Sequence, residues 1–127
     1  MTHRSRLAGF IIDCQDHDAD SAAAFWAAAL GLQAQPAYRE EGAEYADLQG
    51  TPAGLNVEVQ RVNHPSRVHL DIESDDIDAE ADRLEKLGAR RIGFVKRWWV
   101  MEAPTGHRFC VVRMRDGEGK VEANTWG

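Results

Sequence analysis

The sequence predicts an α+β fold made of two tandem βαβββ modules, each a strand, a helix and three further strands. Three observations predict it. Two helix-forming stretches each follow directly on a short apolar strand. Both stretches end in the same pair, Leu30-Gly31 and Leu87-Gly88. Each glycine is then followed by three short strand candidates separated by turn residues.

Module one spans about residues 7–62. Its helix is expected over about 18–30, with Asp18 or Asp20 as the N-cap oxygen. Phe25, Trp26, Ala29 and Leu30 supply apolar spacing, and Phe25 and Trp26 are expected to pack on the core. Gly31 suits the left-handed C-terminal position. Strands are expected over 33–38, 43–49 and 55–62, with breakers at Glu41-Gly42 and Gly50-Thr51-Pro52.

Module two spans about residues 67–114. Its helix is expected over about 76–87, capped by Ser74 or Asp75. Ile77, Ala81, Leu84 and Leu87 recur at the spacing of a sheet-facing stripe. Strands follow over 89–96, 97–102 and 107–114, the last entered through the turn Ala103-Pro104-Thr105-Gly106. Residues 115–127 form a polar, glycine-rich tail expected to be loosely ordered, with Val121 and Trp126 as its apolar exceptions.

The 127 residues fit a single domain. A hydrophobic fraction of 43% and a charged fraction of 28% are ordinary for a globular chain. No apolar run approaches the roughly 18 residues of a membrane span, and Met1 to Arg6 lacks the features of a signal peptide. A cytoplasmic protein without a membrane partner is expected. The net charge of −6 is spread along the chain without a basic stripe, which argues against nucleic acid as a partner. Cys14 and Cys110 are in neither a Cys-x-x-Cys pair nor a zinc-type spacing, so no disulfide framework is expected.

Several strings, in order, resemble the glyoxalase/bleomycin-resistance/dioxygenase group of the vicinal oxygen chelate superfamily. They are Ala24-Phe25-Trp26 leading to Leu30-Gly31, Val68-His69-Leu70-Asp71, and Arg83-Leu84 through Leu87-Gly88-Ala89. Trp98-Trp99-Val100-Met101, Pro104, Gly106 and Phe109-Cys110-Val111-Val112 complete the set. The resemblance covers about residues 7–114. It implies curved mixed sheets around an open cleft, where relatives bind a small substrate and often one divalent metal. Homodimers are expected on the same analogy.

In metal-bearing relatives the ligands come from the first and last strand of each module. His69 occupies the first-strand position of module two. Glu58 is the expected last-strand residue of module one, with Gln60 or Asn56 in its place if the strand shifts by two. Cys110 stands where metal-dependent glyoxalases carry glutamate, and Phe10-Ile11-Ile12 offers no ligand at the remaining point. Overlaying the closing strands puts Glu58 on Cys110. The four-ligand set is therefore incomplete, although Glu58, His69 and Cys110 are chemically acceptable to zinc, with nickel, iron and manganese as other candidates.

Plainer readings stand beside these. Cys110 suits a small buried hydrophobe, Cys14 more so, and His69 a hydrogen-bonding role. His3, His17, His64 and His107 are expected to be solvated. Glu58 and Asp71 suit either an acid/base pair or a solvated wall. Trp98 and Trp99 are adjacent in a strand and face opposite ways, and the sequence leaves open which lines the cleft. The expected ligand-binding set is Glu58, His69, Asp71, Trp98, Trp99 and Cys110, with no catalytic residue assigned.

Three functions follow. The first is a small-molecule-binding protein lacking the full four-ligand metal site. The second is a divalent-metal-dependent isomerase, lyase or dioxygenase acting on a vicinal-oxygen substrate. The third is a non-catalytic dimerisation or regulatory module using Trp126 or the Trp98-Trp99 pair.

Overall fold

The computed structural model describes residues 2–52, 54–114 and 122–127. They form two helices and ten strands in the order β1 (His3–Gln15), α1 (Ala19–Leu30), β2 (Gln33–Ala34), β3 (Tyr38–Glu40), β4 (Ala43–Gln49), β5 (Asn56–Val62), β6 (Arg67–Ser74), α2 (Ile77–Lys86), β7 (Arg90–Val95), β8 (Trp98–Glu102), β9 (Arg108–Arg113) and β10 (Asn124–Trp126). The α+β class and the duplicated βαβββ order are present as the sequence predicts. By packing, the chain divides into Gly9–His69 and a second unit of Met1–Ala8 with Leu70–Gly127.

Within Gly9–His69 the strands lie in the order β2-β4-β5-β1, with β3 also on β4. β5 runs parallel to β1 and antiparallel to β4. One sheet face packs on α1 through Ile12, Cys14, Ala46, Leu48, Val57 and Val59. The helix meets them with Ala19, Ala22, Ala23 and Ala27, and Trp26 packs beside this cluster. Phe25 instead is 63% exposed, and Ala29 and Leu30 are exposed too. The helix is apolar on nearly every side, so pattern alone does not select its buried face. The alanine side gives the sheet the closer approach.

The strand expected over 33–38 is two short ones. Pro36 has no N–H for a ladder, and the backbone resumes pairing at β3. Asp18 caps α1 by accepting from the Ser21 N–H at 3.0 Å, and Gly31 closes the helix at φ 72°.

In the second unit the order is β6-β9-β8-β7, with β9 parallel to β6. α2 packs through Ile77, Ala81 and Leu84 onto Met101, Phe109 and Val111. Its N-cap is Asp76, whose carboxylate accepts from the Ala79 N–H at 3.0 Å. Neither expected cap serves: Ser74 Oγ accepts from the Asp76 N–H, and Asp75 accepts from the Arg4 N–H. Leu87, expected in the buried stripe, is the C-cap of α2 and is 67% exposed. The final turn closes without an aspartate, through Gly106 N–H to Ala103 O at 2.8 Å.

The tail departs from expectation where it is described. β10 pairs antiparallel with the start of β1, His3 opposite Trp126. Trp126 donates from Nε1 to Ser5 Oγ at 2.8 Å, and the Arg83 guanidinium lies 3.8 Å from its ring centre. Residues 115–121, including Val121, lie outside the described residues. His3, expected to be solvated, is 9% exposed and contacts Glu80. His17 and His107 are exposed, and His64 is partly buried.

Candidate functional site

Side chains alternate along a strand, so residues of one parity on β6 share a face. Ile72 packs toward α2, which puts His69, Asp71 and Glu73 on the opposite face. On β9 the core residues are Phe109 and Val111, so Cys110 points the other way. The parallel register sets Asp71 directly beside Cys110. His69, one pleat earlier on β6, completes a group whose potential ligand atoms lie within 4.8 Å of one another.

His69 has a further neighbour. Its Nδ1 lies 2.8 Å from Oδ2 of Asp13 on β1, a carboxylate only 2% exposed. The Arg67 guanidinium approaches the same oxygen, with Nε at 3.9 Å. Sequence reasoning missed Asp13. It is one acidic residue after the apolar run Phe10-Ile11-Ile12 in β1, 56 positions from its partner, and only the tertiary fold reveals the pairing.

Glu58 is not part of this donor group. It pairs with Ile11 on one side and Asp47 on the other, on the face of its sheet away from α1. Its Oε2 accepts from the Tyr38 hydroxyl at 3.2 Å. Tyr38 stacks on Tyr45 at 5.7 Å between ring centres. Burial, then the carboxylates of Glu58 and Asp47, push the Tyr38 hydroxyl well above the ordinary phenol range, so it remains a donor.

The tryptophan pair resolves in direction. Trp99 lies on the α2 side, donating from Nε1 to Asp78 at 2.8 Å and meeting Phe94 edge-on. Trp98 therefore faces the other way, with Val100, which pairs with Cys110. Lys96 lies 5.7 Å from the Trp98 ring centre. Cys14 is buried in the α1 cluster, where burial and then Asp13 push its thiol up, so it stays protonated and inert. Cys110 is only partly buried.

The donor set fits a divalent ion of the zinc class. Thiolate, imidazole and carboxylate are each ordinary zinc ligands, and three protein ligands leave a position for a substrate oxygen. A carboxylate behind the imidazole is the usual support for a metal-binding histidine. Overlaying Glu58 on Cys110 sets Ile11 on Asp71 and Gly9 on His69. Module one thus supplies no donor at these two first-strand positions, and its Asp13 engages His69 instead.

A family model described as a glyoxalase-like domain matches residues 9–112. None of the curated proteins matches. Among solved structures, a methylmalonyl-CoA epimerase in complex with methylmalonyl-CoA and ammonium is 18% identical, with TM-score 0.66, covering 89% of this chain and 96% of its own. A single-residue variant of the Streptomyces coelicolor methylmalonyl-CoA epimerase, bound to 2-nitronate-propionyl-CoA, is 18% identical, with TM-score 0.64 and coverage of 87% and 95%. The Mycobacterium tuberculosis methylmalonyl-CoA epimerase is 16% identical, with TM-score 0.63 and coverage of 91% of each chain. At these identities the likeness establishes the fold.

Proposed function

Since the chain belongs to the glyoxalase-like domain family of the vicinal oxygen chelate superfamily, we propose that it binds a small molecule with adjacent oxygens through a divalent ion held by His69, Asp71 and Cys110. The observation that carries this reading is the convergence of sulfur, nitrogen and carboxylate donors on the β6–β9 pair. Zinc suits the set best, ahead of nickel, iron or manganese, because of the thiolate. When bound, such an ion would act as a Lewis acid toward a ligand oxygen.

The chain's own groups do the rest. Arg67, half-exposed one pleat before His69, offers a guanidinium to an anionic group of the ligand. Trp98 gives an apolar wall on the face it shares with Cys110. Glu58, hydrogen-bonded by Tyr38, is left out of the proposed metal set.

Elemental analysis of tag-free protein tests the reading. About one equivalent of zinc per chain is expected in wild type and in Glu58→Ala, with loss in Cys110→Ala and His69→Ala. Cobalt substitution should give a thiolate charge-transfer band that vanishes in Cys110→Ala. No metal uptake by wild type after incubation with these ions would overturn it and leave metal-free ligand binding.

A second reading, a metal-dependent isomerase, is favoured by the epimerase neighbours. Deuterium exchange at the carbon next to a thioester carbonyl of an acyl-CoA would support it. A role as a dimerisation module through Trp126 has less support, because that ring is engaged by Arg83 and Ser5 of its own chain. We take the protein to be a cytoplasmic homodimer: no helix among the described residues is long and apolar enough to cross a membrane, and Leu70, Phe94 and Val95 are exposed apolar residues suited to a second copy. Sedimentation at micromolar concentration checks the dimer.

A further inference from the structure

We infer that Asp13 is the positioning residue for His69, fixing its tautomer so that Nε2 carries the lone pair offered to the metal; this rests on the metal reading above. A carboxylate accepts from Nδ1–H and cannot donate to it, so the 2.8 Å contact assigns the ring proton to Nδ1. The neutral imidazole then has its lone pair on Nε2.

The setting of Asp13 points to this role rather than to simple stabilisation. The residue is 2% exposed, its Oδ2 faces His69 and Arg67, and its Oδ1 has no hydrogen-bond partner among the described residues. Burying a carboxylate with half its acceptor capacity unfilled costs stability. A rigid β-strand holds it there, so the imidazole is oriented without a flexible loop.

The test uses the whole chain, with zinc as the probe. Nitrogen-15 spectra of His69 in metal-free wild type at pH 8 should show the Nδ1–H tautomer, and Asp13→Leu should mix the two tautomers. Zinc affinity should fall about 10- to 100-fold in Asp13→Asn and Asp13→Leu. Melting temperatures are measured alongside. A lowered melting temperature with unchanged zinc affinity and unchanged tautomer would make Asp13 merely structural. An Nε2–H tautomer in wild type overturns the assignment even if both variants fail to fold. If wild type takes up no zinc, the metal reading fails, while the tautomer still decides whether Asp13 orients His69.

Discussion

The two βαβββ modules share an architecture and differ in what their first and last strands carry. In module two the β6–β9 pair presents His69, Asp71 and Cys110 on one face. In module one the corresponding β1–β5 positions hold Gly9, Ile11 and Glu58. Gly9 is the instructive one. A Cβ built there would lie 1.8 Å from the carbonyl oxygen of Asn56, an impossible contact with backbone. Gly9 adopts φ 155°, a conformation in which a side chain would run into the backbone of β5, so no metal donor stands where module two has its histidine. The one-sided donor set thus reflects the glycine conformation of module one as well as residue choice in module two.

The sharpest way to break this comparison is Gly9→Ala. It should destabilise the protein by more than about 4 kcal/mol, the range reserved for severe steric conflicts, and chemical denaturation measures it. Gly93→Ala in β7, where an added Cβ meets nothing within 4 Å, is the matched control and should be near neutral.

Next in size is Glu80→Ala. This carboxylate, carried by α2, is fully buried and paired with two Arg83 nitrogens and with His3 at 2.8 Å each. Removing one partner of such a buried group should cost about 3 to 5 kcal/mol. Burial by itself would raise the Glu80 pKa, but hydrogen bonds from Arg83, His3 and Ser5 outweigh it and hold the carboxyl below its ordinary 4.5. Its stabilisation is therefore complete above about pH 5 and fades as pH falls through the folded-state value. Wild type should lose stability on acidification below pH 5 more steeply than Glu80→Gln, as melting curves across that range will show.

The smallest effect concerns a device the modules share. Asp76→Ala, which removes the α2 N-cap, should cost about 1 kcal/mol. Asp18→Ala at α1 should act in the same direction, and a stabilising outcome for either would contradict the cap assignment.

Periodicity made the duplication, both helices and most strands legible, with bounds within about two residues, because each is a local pattern. His69, Asp71 and Cys110 were legible as facing residues, since alternation around Ile72, Phe109 and Val111 fixes their side of the strand. What escaped depended on contacts distant in sequence. Asp13 beside His69, and Glu80 beside His3, join residues 56 and 77 positions apart. The buried face of α1 escaped for another reason: ADSAAAFWAAAL is so uniformly apolar that burial depends on shape, and alanine fits a close sheet better than phenylalanine.

Each module pairs its first strand with its last in parallel, β1 with β5 and β6 with β9. A hairpin such as β7–β8 closes a short loop and can form within microseconds. A first-to-last ladder must close a loop containing a helix and the intervening strands, so its entropy is spent before its contacts are gained. Cys110 can join β8 by local pairing, but it meets Asp71 only when that larger loop shuts. Loop-closure entropy therefore predicts that the Asp71–Cys110 pairing forms after the β7–β8 and β8–β9 hairpins, so the three side chains of module two come together late in its folding.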